Sequence, residues 1–232
     1  MRGSFIRAAG VVALGVALVG GASAPPDDRL LPAAEHTSDK GRELATRHSG
    51  ALRELNTEVY HCLPWLEVQK HSIGFFKPRH ATADERFLSI RLYIEQEPSP
   101  EFASLGTEQR ASAMFSRYVG PMLKRMTRNP AVRNDDAIDG FSVILEWMKQ
   151  RPTGKGQRPV HEAIAVFVDK VDAEDFLSGR TTVPALATRA RILAFDGEKP
   201  LGTLGVSAWD DDFVATYKVR NYKPDPGVVC VK

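Results

Sequence analysis

His161 and Glu162 are the strongest acid–base candidates in this sequence, because an imidazole near a carboxylate can exchange protons close to neutral pH. Both fall in a segment of alternating apolar residues, from Val160 to Asp169, that predicts a β-strand. Successive side chains of a strand point to opposite faces, so these two cannot serve one substrate atom. The simpler interpretation is a polar strand edge, and we then expect His161→Ala to leave folding and binding almost unchanged.

Four residues of types that bind zinc lie between positions 61 and 80, and they are His61, Cys62, His71 and His80. Their spacings match no compact structural zinc pattern, and a disulfide would consume the thiolate of Cys62. We therefore expect surface or loop histidines and predict no metal or cofactor. His48 lies on the apolar side of a predicted helix, where a hydrogen-bonded histidine at the edge of the core is the ordinary outcome.

The run Asp210 to Asp212 offers oxygen ligands that a calcium ion could use. It lacks the alternation and the glycine of an EF-hand loop. Three acids between two predicted strands are an ordinary hairpin tip, so we expect a solvated turn there.

The sequence contains no recognisable catalytic motif. A G-x-S-x-G elbow, an H-E-x-x-H zinc motif, a phosphate-binding loop and paired C-x-x-C motifs are all absent. An enzyme can lack these motifs, so their absence removes specific hypotheses without excluding catalysis.

The first 24 residues have the order of a secretory signal peptide. Arg2 and Arg7 precede an uncharged run from Ala8 to Gly21, and Ala22-Ser23-Ala24 supplies small residues for the peptidase. The run is shorter than the roughly 20 residues of a spanning helix, which makes a retained anchor the weaker alternative. We expect an exported protein, periplasmic or secreted, that begins near Pro25.

Charge argues against a nucleic-acid partner. The expected signal peptide carries two arginines and no acid, so its removal takes the formal net charge from +2 to zero. The basic stretches at 124–133 and 149–158 are explained by a helix end and by a loop rich in proline and glycine.

The chain has two cysteines, Cys62 and Cys230. In an exported protein they are most simply one disulfide, and two separate buried thiols are the alternative. The bond would tie the end of the first helix to the carboxyl terminus.

Helical periodicity marks two long segments. The first follows a cap at Ser38 and continues to Cys62, and the second follows Thr107 with an interruption at the Gly-Pro of residues 120–121. The methionines Met114, Met122 and Met126 repeat at helical spacing, so we expect core filler, with a soft ligand groove as the alternative.

Alternating patterns predict the strands, and a short helix is predicted over Asp172–Ser178. The predicted strands are Glu67–Phe76, Phe87–Glu95, Phe141–Lys149, Val160–Asp169, Arg189–Phe195, Leu201–Trp209 and Phe213–Arg220.

These elements predict an α+β fold: one antiparallel sheet of about six or seven strands with two long helices packed on one face. The order helix, strand, strand is expected twice. We assign residues 1–24 to the signal peptide, 25–37 to a flexible leader and 38–232 to a single domain. The resulting hypothesis is a non-enzymatic binding or interaction module. Its partner would be a protein, an envelope component or a small apolar ligand. The alternative is a hydrolase-like or metal-assisted enzyme that uses His161.

Overall fold

The computed structural model describes residues 24–79, 81–94, 99–150, 154, 158–207 and 228–230. Within those ranges no helix has both the length and the apolar composition needed to cross a bilayer. The helices are α1 (Asp39–Arg47), α2 (Ser49–Cys62), α3 (Pro100–Ser104), α4 (Thr107–Met114), α5 (Gly120–Met126), α6 (Pro130–Arg133), α7 (Lys170–Leu177) and α8 (Val183–Arg189). The strands are β1 (Leu66–Val68), β2 (Gly74–Phe76), β3 (Phe87–Ile94), β4 (Gly140–Gln150), β5 (Val160–Asp169), β6 (Arg191–Asp196) and β7 (Lys199–Thr203).

The described strands form one sheet in the order β1-β3-β4-β5-β6-β7, with β2 also paired to β3. The expectation of an α+β fold with a mostly antiparallel sheet is confirmed. One pair departs from it, because β3 and β4 run parallel. Parallel neighbours need a long crossover connection, and the helices α3 to α6 provide it.

The two long helices of the prediction are each divided. Ser38 caps α1 as expected, its Oγ accepting a hydrogen bond from the Gly41 amide at 3.1 Å, but the chain leaves the helical conformation at His48 (ψ 14°) and restarts as α2. In the second segment a π-helical turn at Phe115–Val119 separates α4 from α5. That turn ends two residues before Pro121, which lacks the amide hydrogen that an α-helix needs.

The strand predicted over Glu67–Phe76 is also divided, into β1 and β2. The turn between them contains His71, whose φ of 51° is incompatible with a continuous strand. Three strands therefore follow the first helices, so the predicted repetition of helix, strand, strand is not observed. The predicted strand over Leu201–Trp209 is represented by β7, which starts earlier and ends at Thr203, and the one over Phe213–Arg220 lies outside the described residues.

The hydrophobic core lies between the helices and one face of the sheet, which we call the inner face. Each of the helices α1 to α8 contributes buried apolar side chains to this single cluster. The inner-face residues of the central strands are almost fully buried, and they are Leu88, Ile90, Leu92, Ile94, Phe141, Val143, Leu145, Trp147, Ile164, Val166 and Val168. The opposite, outer face carries no helix in the part of the chain that the structure describes.

Residues 27–36 fall in the segment for which the sequence predicts a flexible leader. They form two short 3-10 turns beside β2. The Leu31 amide donates to the Ile73 carbonyl at 2.8 Å, and the Phe75 amide donates to Nε2 of His36 at 3.2 Å. These bonds place a buried histidine against the edge of the sheet.

Candidate functional site

The register of β4, β5 and β6 sets small side chains of β5 between larger ones of its neighbours, and from this pairing we infer a shallow apolar groove on the outer face of the sheet. Its floor is made of two small residues, Ala163 and Ala165, which pair with Glu146 and Ile144 on one side and with β6 on the other. Half-buried large side chains flank that floor: Ile144 and Met148 from β4, and Leu193 and Phe195 from β6. We call these six residues the outer groove.

A polar cluster closes one end of the outer groove. Oε2 of Glu146 accepts a hydrogen bond from Nη2 of Arg91 at 2.7 Å and one from Nε2 of Gln69 at 3.4 Å. Oε1 of Glu146 lies 3.4 Å from Nδ1 of His161. The ring of Tyr93 packs on the imidazole with 5.3 Å between centroids. The cluster thus brings three strands and the β1–β2 connection together around one carboxylate.

The surroundings of His161 favour a positioning role over proton transfer. Its Nδ1 faces Glu146, while its Nε2 is buried and has no hydrogen-bond partner among the described residues. A general base must reach the proton that it abstracts, and a ring nitrogen shielded from solvent does not. The cluster therefore holds the imidazole in place at the end of the groove.

Sequence reasoning missed Glu146. The alternation of Phe141 to Trp147 does turn Glu146 away from the apolar side chains, so its face could be read from the sequence. Its contact with His161 depends on the register that pairs Ala163 with Glu146 across β4 and β5. The nine residues between β4 and β5 are too many for a tight turn to set that register, so a single sequence does not determine it.

Glu162 points to the inner face, as strand geometry predicts, and belongs to a different network. Arg110 binds its carboxylate with two bonds of 2.6 Å, and Nζ of Lys149 lies 3.2 Å away and also contacts Asp196. The side chain of Glu162 is 1% exposed and that of Arg110 is 5% exposed. Burial alone would raise the pKa of Glu162, but the hydrogen bonds and charges of Arg110 and Lys149 outweigh burial and lower it.

The structure does not bring the suggested zinc ligands together. Cys62 is in a disulfide, His61 is buried in the last turn of α2, and His71 lies 3.2 Å from the carboxylate of Glu35. His80 lies outside the described residues. Among the residues that can be described, no three candidate ligands cluster in a way that could hold a metal ion.

The remaining candidates occupy ordinary positions. Met114, Met122 and Met126 are buried in the core, with at most 3% of each residue exposed, so they line no open groove. His48 is also buried and pairs with Asp135. The run Asp210 to Asp212 lies outside the described residues.

A disulfide joins Cys62 and Cys230, with 5.6 Å between their Cα atoms. The pairing that the sequence suggests is therefore present. It connects the end of α2 to a segment 168 residues later in the chain.

Comparison with protein families, with curated proteins and with solved structures found no match to this chain.

Proposed function

We propose that this chain is an exported, non-enzymatic binding protein that holds an apolar helical segment of a partner protein in the outer groove. The observation that carries the proposal is the pair of alanines along β5 between the larger side chains of β4 and β6. The alanines themselves are only 9% and 6% exposed, so the apolar contact with a partner comes mainly from the flanking side chains, between which the small residues leave room.

The dimensions of the groove suit a helix. The strands β4 and β6 lie two strand spacings apart, about 10 Å, which is close to the diameter of an α-helix with its side chains. On the outer face of β5 the two alanines lie between His161 and Phe167, which are six residues or about 20 Å apart, a distance that a helix of about 13 residues would span.

The composition of this face suits a protein partner. Aromatic residues, methionine and arginine are enriched where proteins bind each other. Tyr93, Met148 and Phe195 lie along the groove, and the exposed Arg191 lies beside Phe167 at the far end. No ion pair of Arg191 is found among the described residues, so an acidic residue flanking the partner helix would complement it.

Export is the second part of the proposal. It is supported by the charged and apolar order of residues 1–24, and a disulfide persists most readily in an oxidising compartment. Intact-mass analysis of protein recovered outside the cytoplasm tests it. A chain that begins near Pro25 supports export, and a retained Met1 contradicts signal removal.

The alternative is a hydrolase-like enzyme that uses His161, and the contact with Glu146 is the observation in its favour. The substitution His161→Ala distinguishes the two functions, because they predict different results for it. A binding protein keeps its binding and changes its stability by about 1 kcal/mol or less. A hydrolase loses its reaction while remaining folded.

Peptide titration followed by NMR tests the groove. The probe is a 14-residue helical peptide with one leucine stripe and acidic ends, and its scrambled sequence is the comparison. We expect shifts at the amides of Ala163, Ala165 and Leu193, and at least tenfold weaker binding by Leu193→Glu. The matched control is Leu201→Glu, because Leu201 is an exposed leucine on β7.

Two results would contradict helix binding in the outer groove: equal binding of the two peptides, or equal effects of Leu193→Glu and Leu201→Glu on that binding. Binding of a small apolar dye in the groove without binding of the helical peptide would also contradict it. That result would assign the groove to a small ligand.

A further inference from the structure

A cleft of about 400 Å³ lies on the helical side of the molecule, where α6 meets the end of α7. Its polar lining consists of Arg128, Arg133, Asn134, Glu174, Ser178 and Arg180. Three arginines thus line one concave surface beside a single glutamate. Small-molecule sites of proteins have volumes of this order.

Two of the arginines form ion pairs with acids outside the cleft lining. Nη1 of Arg128 lies 2.7 Å from the carboxylate of Glu58, and Nη2 of Arg180 lies 2.7 Å from that of Asp175. Each guanidinium carries five N–H donors, so one ion pair leaves donors free for a ligand. Both pairs are accessible to solvent, with 44% of the Arg128 side chain and 63% of the Arg180 side chain exposed, so they favour these side-chain directions without locking them.

Arg133 differs from them, since no ion pair or hydrogen bond of its side chain is found among the described residues. The side chains of Glu174 and Asn134 are likewise without a hydrogen-bond partner in the described part of the chain. The cleft therefore offers a free guanidinium for an oxyanion, which arginine binds with two parallel hydrogen bonds. The free carboxylate of Glu174 would repel a bare anion but accepts hydrogen bonds from hydroxyl groups.

We infer that this cleft binds a sugar that carries a tetrahedral oxyanion, either a phosphate or a sulfate ester. The arginines hold the ester group, and Glu174 and Asn134 bind the hydroxyl groups of the ring. The cleft lies on the helical side of the sheet, whereas the outer groove lies on the other face. The inference therefore does not depend on the proposed function, and either can fail alone.

Calorimetric titration of the full chain at low ionic strength tests the inference, because salt screens an exposed anion site. The probes are glucose 6-phosphate, glucose 6-sulfate, glucose and inorganic phosphate. We expect one of the two esters to bind, inorganic phosphate to bind more weakly and glucose not to bind. The tighter ester identifies the charged group.

Three variants sharpen the titration. Arg133→Gln removes the free guanidinium and should weaken ester binding about tenfold, since a charged hydrogen bond is lost. Lys199→Gln is the matched control, because it removes one positive charge from the exposed strand β7. Glu174→Ala should weaken binding of the ester and leave binding of inorganic phosphate unchanged or stronger.

Circular dichroism establishes that each variant is folded before titration. Equal affinities of Arg133→Gln and the unmodified protein for the ester would overturn the inference. Inorganic phosphate binding as tightly as the tighter ester, or binding of neither ester, would also overturn it, because the cleft would then not recognise a sugar that carries the charged group.

Discussion

Nε2 of His48 lies 2.7 Å from Oδ2 of Asp135, at the point where α1 ends and α2 begins. Arg47 reaches the same oxygen at 2.7 Å, and the Ala137 amide donates to Oδ1 at 2.9 Å. Burial alone would raise the pKa of Asp135, but the bonds from Ala137, His48 and Arg47 lower it to about 2. One carboxylate thus joins the helix break to the turn before β4.

We expect Asp135→Asn to lower the free energy of unfolding by about 2 kcal/mol at pH 7, since the folded state holds the ionised carboxylate more favourably than the unfolded state. A lowered pKa stabilises the fold fully above the unfolded value, near pH 4, and this stabilisation is lost as the pH falls toward 2. Urea unfolding at several pH values measures it. Asp136→Asn, at the fully exposed neighbouring position, is the control and should cost much less.

Two arginine–glutamate pairs lie on opposite faces of the sheet, and they should differ in their effect on stability. Arg110 and Glu162 are buried on the inner face, whereas Arg91 on the outer face is 46% exposed. We expect Glu162→Gln to cost about 3–5 kcal/mol, because it leaves Arg110 buried without a full counter-charge. Arg91→Gln should cost less than about 1 kcal/mol. Chemical denaturation of both variants measures the difference, and equal costs would refute it.

Because of His36, we expect the stability of the fold to depend on pH in the range just below neutrality. Its Nε2 accepts from the Phe75 amide and its Nδ1 lies 3.1 Å from the Pro32 carbonyl, so the fold requires the neutral ring. Burial lowers the pKa of His36 below its unfolded value near 6.5. Stability is therefore complete above about pH 6.5 and falls as the pH drops below it.

Unfolding midpoints at pH 7.5 and pH 5 test this dependence. His36→Gln should reduce the difference between the two midpoints, even if it lowers both. His71→Gln, which changes an exposed histidine, should keep the difference of the unmodified protein. An unchanged pH dependence in His36→Gln would assign the titration to other groups.

Two glycine-to-alanine substitutions should have opposite signs. A Cβ at Gly140 would lie 2.5 Å from the Val168 carbonyl oxygen and would overlap the Phe87 ring, so backbone must move. A Cβ at Gly50, in α2, meets nothing within 4 Å. Thermal unfolding should show Gly140→Ala destabilised by about 1–3 kcal/mol and Gly50→Ala stabilised by about 0.5–1 kcal/mol.

Reduction of the disulfide should destabilise the protein substantially. Closing a loop of 168 residues restricts the unfolded chain, and the chain-entropy model gives an upper figure of about 4–5 kcal/mol. The double variant Cys62→Ala, Cys230→Ala should match the reduced protein in urea unfolding. A midpoint unaffected by reductant would contradict a bond in the folded state.

Much of the fold follows from local pattern. The alternation in β4 and β5 predicted both strands and their buried faces, and the serine at position 38 predicted the start of α1. Such features depend on neighbouring residues and the period of each element, which a single sequence contains. The cysteine pairing was likewise accessible, because the chain has only two cysteines.

The features that define the sites depend on residues distant in sequence. The interruption at His48 has no proline to mark it, and it is stabilised by Asp135, 87 residues away. Parallel pairing of β3 with β4 depends on the crossover through α3 to α6, which pack against strands distant in sequence. The partner of His161 is likewise a residue of another strand, Glu146. The neighbouring position in the sequence suggested Glu162 instead, whose side chain points to the opposite face of the sheet.

Because Cys62 and Cys230 are joined, a protease that cleaves once between residues 63 and 229 cannot release a fragment. The piece that ends at the cut retains Cys62, and the piece that follows it retains Cys230. The two pieces would remain covalently linked, so the strands on either side of the cut would stay in one molecule and remain able to pair. A nicked chain would run as one species on a non-reducing gel and as two after reduction, so degradation requires a second cut or a reductant.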